Sequence, residues 1–283
     1  MISDVCVDDA KCNFRKKVIT DMTPTRYDRI GINYTQNRKA DIRIVRSLDR
    51  LLNLPDGSTI ADMGAGTGNY ANALENSGYD LKAVEPSQEM RSQAKADAKV
   101  EWLCGTAEKI PLTDSSVDGV IVILALHHFS APVEAAAEIQ RICPRGPLVI
   151  FTIDPRQSED FWFERYFPDI YRQDFRSFPP IEDVVDLFAC TRKESCEIEK
   201  FPLPHDLTDL NMYSGWNRPE LYLDPQARQS MSGFALASAS SVDSGVGSLG
   251  HHLKSGKWDQ QYGHLRKQKY FDAGFRFIKF YEN

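Results

Sequence analysis

The segment IADMGAGTGNYANAL, residues 60–74, constrains the fold of this chain more than any other. An apolar run enters three alternating glycines, Gly64, Gly66 and Gly68, and a helix-forming stretch leaves them. Glycines between a strand and a helix let the backbone approach something closely. The same alternation continues downstream. Strands are expected at 58–63, 80–85, 100–104, 117–124 and 147–153, with helices near 69–77, 87–96 and 131–142. Short apolar strands separated by helices imply parallel strands joined by crossovers, hence a doubly wound α/β sheet.

Three regions follow from this pattern. Residues 1–22 are polar and aperiodic and are expected to form a flexible extension. Residues 23–155 carry a helical region and then the strand–helix core; Ile42, Ile44, Val45, Leu48, Leu51 and Leu52 recur at helical spacing. Residues 156–283 change character. They open with the aromatic-rich FWFERYFPDIYRQDFRSF and continue into a short helix at IEDVVDLF. Two late strands, 192–201 and 272–281, bracket an interval with helical apolar spacing and a Ser- and Gly-rich loop at 238–249.

The glycine spacing discriminates between ligands. A dinucleotide fingerprint places its third glycine five residues after the first, where this chain has Asn69. A P-loop requires a lysine after its last glycine, and none follows here. What stands is D-x-G-x-G-x-G, starting at Asp62, followed by a second strand ending in Glu85. A carboxylate at that strand end can accept hydrogen bonds from both hydroxyls of an unphosphorylated ribose. These demands fit a nucleoside that carries an amino acid and no phosphate, as S-adenosylmethionine does.

At these residues the chain resembles the class I S-adenosylmethionine-dependent methyltransferases, in their small-molecule branch that includes the ubiquinone and menaquinone methyltransferases. The resemblance runs over about 30–155. ADMGAGTGNY is similar to the family's first motif and VEPSQEM to its second. CGTAEKIPLTDSSVDGVIVILALHHF is similar to its third and fourth, and AAAEIQRICPRGPLVIFTID to its fifth. PRGPL replaces the usual Gly-Gly turn of the fifth, and Thr106 stands where relatives often carry an acid.

The resemblance implies a Rossmann-like sheet of seven strands with a helical lid and a helical cap insertion, and S-adenosylmethionine as cofactor. Asp62, Gly64, Ala65, Gly66 and Gly68 would floor the methionine and ribose end, and Glu85 would hold the ribose hydroxyls. Pro86 and Met90 follow the second strand, Met90 either against the adenine or inside the sheet. Thr106, Ala107 and Glu108 would flank the adenine, and a backbone carbonyl near Leu124 would receive the amino group. Tyr27 and Tyr34 are spaced by two helical turns and in a helix would share one face. The resemblance makes them a lid, with Arg38 available to the cofactor's carboxylate; the alternative is an amphipathic packing helix.

His127 and His128 follow the fourth strand, at the end where doubly wound sheets bind ligands. Histidine removes a proton near neutral pH, which suits methylation of an acidic hydroxyl or enol. In an extended segment their side chains point oppositely, so one of the two is expected to face the pocket. The alternative is a structural or cofactor-contacting pair. His251 and His252 are expected on the surface, and Asp154 as a helix cap, with orientation of a histidine as the alternative. Phe161, Trp162, Tyr166 and Trp216 are expected to build the acceptor pocket together with a cap core.

Composition excludes other classes. A net charge of −6 and a pI near 5.6 argue against a nucleic-acid partner. The longest apolar runs, such as VIVILAL, are strand-sized and far short of a membrane span. The N-terminus lacks a signal-peptide pattern, so a cytoplasmic protein is expected; the resemblance implies a small-molecule methyl acceptor, and a monomer or homodimer is expected. Six scattered cysteines offer no C-x-x-C pair and no metal-ligand cluster. Arsenite methylation, N-methylation by proximity alone, and a cofactor-binding protein without catalysis are the competing readings.

Overall fold

A computed structural model describes residues 38–94, 99–191 and 195–282. The expected extension and both candidate lid tyrosines, Tyr27 and Tyr34, lie outside the described residues.

Helix α1 (Ile42–Leu52) starts where the Asp41 carboxylate accepts from the Arg43 N–H. It ends at Asn53, whose left-handed φ of 49° stops the ladder. Its buried face is Ile44, Val45, Leu48, Leu51 and Leu52. Next come β1 (Thr59–Met63), α2 (Asn69–Glu75), β2 (Asp80–Val84), α3 (Gln88–Ser92), β3 (Glu101–Leu103) and β4 (Gly119–Ile123). After them come α4 (Pro132–Ile142) and β5 (Leu148–Ile153). The cap contributes α5 (Pro168–Ser177) and leads to α6 (Ile181–Thr191) and β6 (Ser195–Lys200); β7 is Phe275–Tyr281.

Seven strands form one sheet in the order β3-β2-β1-β4-β5-β7-β6. The first five are parallel, with Ile60 opposite Leu81 and Gly119, while β7 inserts antiparallel between β5 and β6. Both faces are covered, so alternate residues of one strand enter different cores. Ile60, Ile121, Val149 and Phe151 pack with α1 and the cap. Ala61, Val120, Val122 and Ile150 pack with Ala135, Ala136 and Ile139 of α4 and with Val184 and Phe188 of α6.

The expected Ser/Gly-rich loop at 238–249 is instead the start of a long helix, Ala239–Lys254. Ser238 caps it by accepting from the Ser241 N–H. Gly245 explains the composition: a Cβ there would stand 2.5 Å from the Tyr166 carbonyl oxygen and 2.6 Å from the Phe167 ring. The helix can lie against the 166–167 turn only without a side chain. The third helix is shorter than expected, ending at Ser92.

Polar contacts tie the cap to the core beside the glycine loop. Asp41 accepts from the N–H of Thr208 at 3.1 Å and from its hydroxyl at 3.2 Å. Its hydrogen bonds with Arg43 and Thr208 outweigh burial and hold its pKa down at about 2. Arg38 ion-pairs with buried Asp209, which also accepts from the Tyr70 hydroxyl at 3.0 Å. Tyr70 belongs to α2, so the 207–211 segment is fixed to the helix that follows the glycines.

Candidate active site

The three glycines have three different tasks. All have positive φ, 71°, 59° and 75°. A Cβ on Gly64 would meet the Cβ of Ala125 at 2.7 Å, and one on Gly68 would meet the Trp102 ring at 2.6 Å. Those two positions are closed by packing. Gly66 has no atom within 4 Å of its absent side chain, and it borders a cavity of about 420 Å³. That volume falls within the range of small-molecule sites.

Glu85 stands at the carboxyl end of β2 and is 8% exposed. One carboxylate oxygen accepts from the Gly66 N–H at 3.0 Å and the other from the Ser87 N–H at 2.9 Å. Burial raises its pKa above the usual value, although both N–H groups oppose the shift. Each oxygen keeps a lone pair, so the residue can still receive two hydroxyls from the cavity it lines. Pro86 and Met90 line the same wall; Met90 is also 3% exposed and packed.

Asp62 and Gly68 are not in that wall. Asp62 is buried beneath it, and burial first, then the charge of Glu85, pushes its pKa up to about 7. The ordinary value is 3.8, so between these values the native state keeps a proton that the unfolded chain releases. Stability conferred by that proton is lost as pH rises through the window. Asp62→Asn is therefore expected to gain stability relative to the natural chain between pH 5 and pH 8. The gain is about 2–3 kcal/mol at roughly 1.4 kcal/mol per unit. Urea unfolding of the ligand-free proteins at both pH values measures it, and parallel behaviour would mean an ordinary carboxylate.

Thr106 and Ala107 line the wall, and Thr106 bridges to Lys109. Glu108 borders it too, but its carboxylate also serves α4. It accepts from the N–H and hydroxyl of Ser130 at 2.6 and 3.0 Å, and from the Ala131 N–H at 3.1 Å. Burial pushes its pKa up, and these hydrogen bonds overcome that and leave it below the usual value. Arg38 reaches the wall while paired with Asp209.

At the end of β4 the chain turns sharply. Leu124 takes a left-handed φ of 50°, uncommon for a residue with a Cβ. Its N–H donates to the Phe151 carbonyl at 2.8 Å, which anchors the turn. The next residues form a 3₁₀ turn, Leu126–His128, not the expected extended segment. As a consequence His127 and His128 do not point oppositely. Both line the cavity, with ring centroids 3.7 Å apart. His127 also lies 4.0 Å from the Phe178 ring, and its Nδ1 is buried without a protein partner among the described residues. Burial, and then His128, hold the pKa of His127 well below 6.5, so this imidazole is neutral at physiological pH.

The expected pocket aromatics sit one layer deeper than the wall. Phe161, Trp162, Tyr166 and Trp216 are all at most 5% exposed, and none lines the cavity. Trp162 Nε1 donates to the Trp216 carbonyl at 2.7 Å, Trp216 stacks on Phe271, and the Tyr166 hydroxyl meets His252 Nδ1 at 2.9 Å. Large rings at helical spacing filled the cap core because burying them removes more apolar area from water. The cap side of the wall is made instead by Asp174, Phe178, Asn211, Met212, Tyr213 and Met231. Phe161 stacks behind Tyr213 at 5.2 Å. These residues carry no local motif; only the fold of 168–233 brings them to the ends of β4 and β5. Asp154 caps the turn after β5, accepting from the Arg156 and Ile181 N–H groups.

Comparison with known proteins agrees with this geometry. Residues 61–151 match a methyltransferase domain family. A solved candidate methyltransferase of an antibiotic biosynthesis pathway from Anabaena variabilis is 45% identical. It superposes with a TM-score of 0.85 over 87% of this chain and 99% of that one. The chain belongs to the S-adenosylmethionine-dependent methyltransferase family. An uncharacterized methyltransferase of Mycobacterium tuberculosis is 33% identical over 53% of this chain; the chain spans 62% of that relative's length. The Haemonchus contortus phosphoethanolamine N-methyltransferase 2, solved with S-adenosyl-L-methionine, shares the fold at 18% identity and a TM-score of 0.56. It covers 93% of this chain and 58% of that one. S-adenosylmethionine is the cofactor of this family. The residues fit it: Gly66 leaves open space, and Glu85 presents two acceptors to a cavity with no phosphate-binding lysine in its loop.

Among the described residues no three His, Cys, Asp or Glu side chains cluster as a metal site. No disulfide forms among them; Cys143 is buried, and Cys104, Cys190 and Cys196 are exposed. No helix among them is long and apolar enough to cross a membrane.

Proposed function

We propose that this protein methylates a hydroxyl or an enol carbon of a small organic acceptor, with His127 as the general base. One observation carries the reading: the neutral imidazole of His127, whose buried Nδ1 has no partner among the described residues, lines the cavity between the glycine loop and the cap. The bound cofactor supplies a methyl group activated by a sulfonium. Glu85 and the backbone around Gly66 would hold its ribose, and Thr106, Ala107 and Met90 would enclose its adenine.

The remaining work belongs to the chain. Phe178, Met212, Met231 and Tyr213 exclude water and fix the acceptor beside the histidines. His127 accepts the proton that the acceptor loses, which strengthens the attacking oxygen or carbon. Similarity to the Anabaena variabilis structure, described as belonging to an antibiotic biosynthesis pathway, supports a natural-product acceptor. Incubation with methyl-labelled cofactor and an extract of the source organism tests the proposal. Mass spectrometry should find the label on oxygen or carbon of a small molecule. A labelled amine, or none, would overturn it.

A further inference from the structure

Asp174 is the one acid that the cap helix α5 brings to the cavity wall, which Gln173, Ser177, Phe178, Met212 and Met231 also line. Among the described residues no lysine, arginine or histidine pairs with its carboxylate. A carboxylate withdrawn from bulk water without a counter-ion is expensive to keep.

Two further groups on the same wall lack partners among the described residues. The Tyr213 hydroxyl is buried and unpaired, and so is Asn211 Nδ2, although Asn211 Oδ1 accepts from the Tyr213 N–H at 2.9 Å. Burial, and then the neighbouring charge of Asp174, raise the Tyr213 pKa well above 10, so its hydroxyl stays a donor. Burial alone lifts Asp174 to about 7. The wall therefore holds a carboxylate without a cation among the described residues.

We propose that Asp174 is the counter-ion for a protonated nitrogen on the methyl acceptor. This rests on the reading of the cavity as the acceptor site of a methyltransferase. The cationic nitrogen satisfies the charge that the protein leaves open, and hydrogen bonds assisted by charge are the stronger kind. An ammonium held this way has no lone pair to attack with. The methyl group therefore goes to another atom of the acceptor, next to the histidines.

The test uses phenolic amines as probes, tyramine and analogues with shorter and longer tethers, each paired with the neutral alcohol of the same shape. Calorimetric titration into the full chain saturated with S-adenosylhomocysteine should show each fitting amine bound about tenfold or more tightly than its alcohol. Asp174→Asn should abolish that preference and leave S-adenosylhomocysteine affinity unchanged; Asp174→Ser repeats the test if the first variant does not fold. Amines that bind no better than their alcohols, amines that fail to bind at all, or a preference that survives both variants would overturn the proposal. S-adenosylhomocysteine binding to the natural chain is measured first. Its absence defeats the methyltransferase reading separately, and the amine preference is then measured in the cofactor-free protein.

Discussion

Replacing His127 by alanine or glutamine is expected to lower turnover by roughly 100- to 10,000-fold, the range general base catalysis contributes. Cofactor affinity should stay within a few-fold, because the lost interaction concerns the acceptor's proton. The pH dependence follows from the site. His127 titrates well below 6.5, so falling from pH 9 to pH 6 does not protonate it, and the natural enzyme should lose no activity through this group. In the variant, raising the pH should restore part of the rate, since an acidic hydroxyl then ionises in water. His128 lies against His127, its ring tilted 49° to it, and shares the wall, so its replacement tests which ring takes the proton. Steady-state rates across pH 6–9 decide the matter. If both single variants keep near-normal turnover, base catalysis is refuted, and an amine acceptor that arrives deprotonated becomes the better substrate class.

The second large effect concerns Glu85. If Glu85 accepts both ribose hydroxyls, as proposed, its removal should cost roughly 1.5–3 kcal/mol of charge-assisted binding. Glu85→Ala should therefore weaken S-adenosylhomocysteine binding about 10- to 150-fold at 1.4 kcal/mol per decade. The same carboxylate receives the Gly66 and Ser87 N–H groups, so part of the loss reflects a loosened glycine loop. Glu85→Gln separates the contributions: it keeps the shape and one acceptor oxygen, and its loss should be smaller. Calorimetry on both variants, with unfolding temperatures to check the fold, measures this. Unchanged affinity in Glu85→Ala would place the ribose elsewhere.

The contrast between Glu85 and Asp174 shows what could be learned before the structure was known. Glu85 ends a strand that follows a glycine turn, and both features are local, so sequence distance alone places that carboxylate beside Gly66. Asp174 sits in YRQDFRSF with nothing nearby to distinguish it from an ordinary surface acid. Its environment comes from residues dozens of positions away. The histidine pair lies between these cases. Its position after the fourth strand was legible, while the directions of the rings depended on the left-handed turn at Leu124, which an apolar residue does not announce.

The cap shows the same division. Residues 238–249 combine serine and glycine, which locally favour a loop, and only contact with Tyr166 and Phe167 makes Gly245 useful inside a helix. Phe161, Trp162, Tyr166 and Trp216 were visible as apolar mass, but sequence does not say whether a ring faces a cavity or a neighbouring ring. By itself the sequence determined the strand–helix alternation, the glycine turn and the acid at the second strand end, because each depends on backbone preferences and contacts close along the chain. Tertiary structure alone decided the acceptor wall, the helix at Ala239–Lys254 and the shared orientation of the histidines. In each of these, packing between distant segments outweighs local propensity.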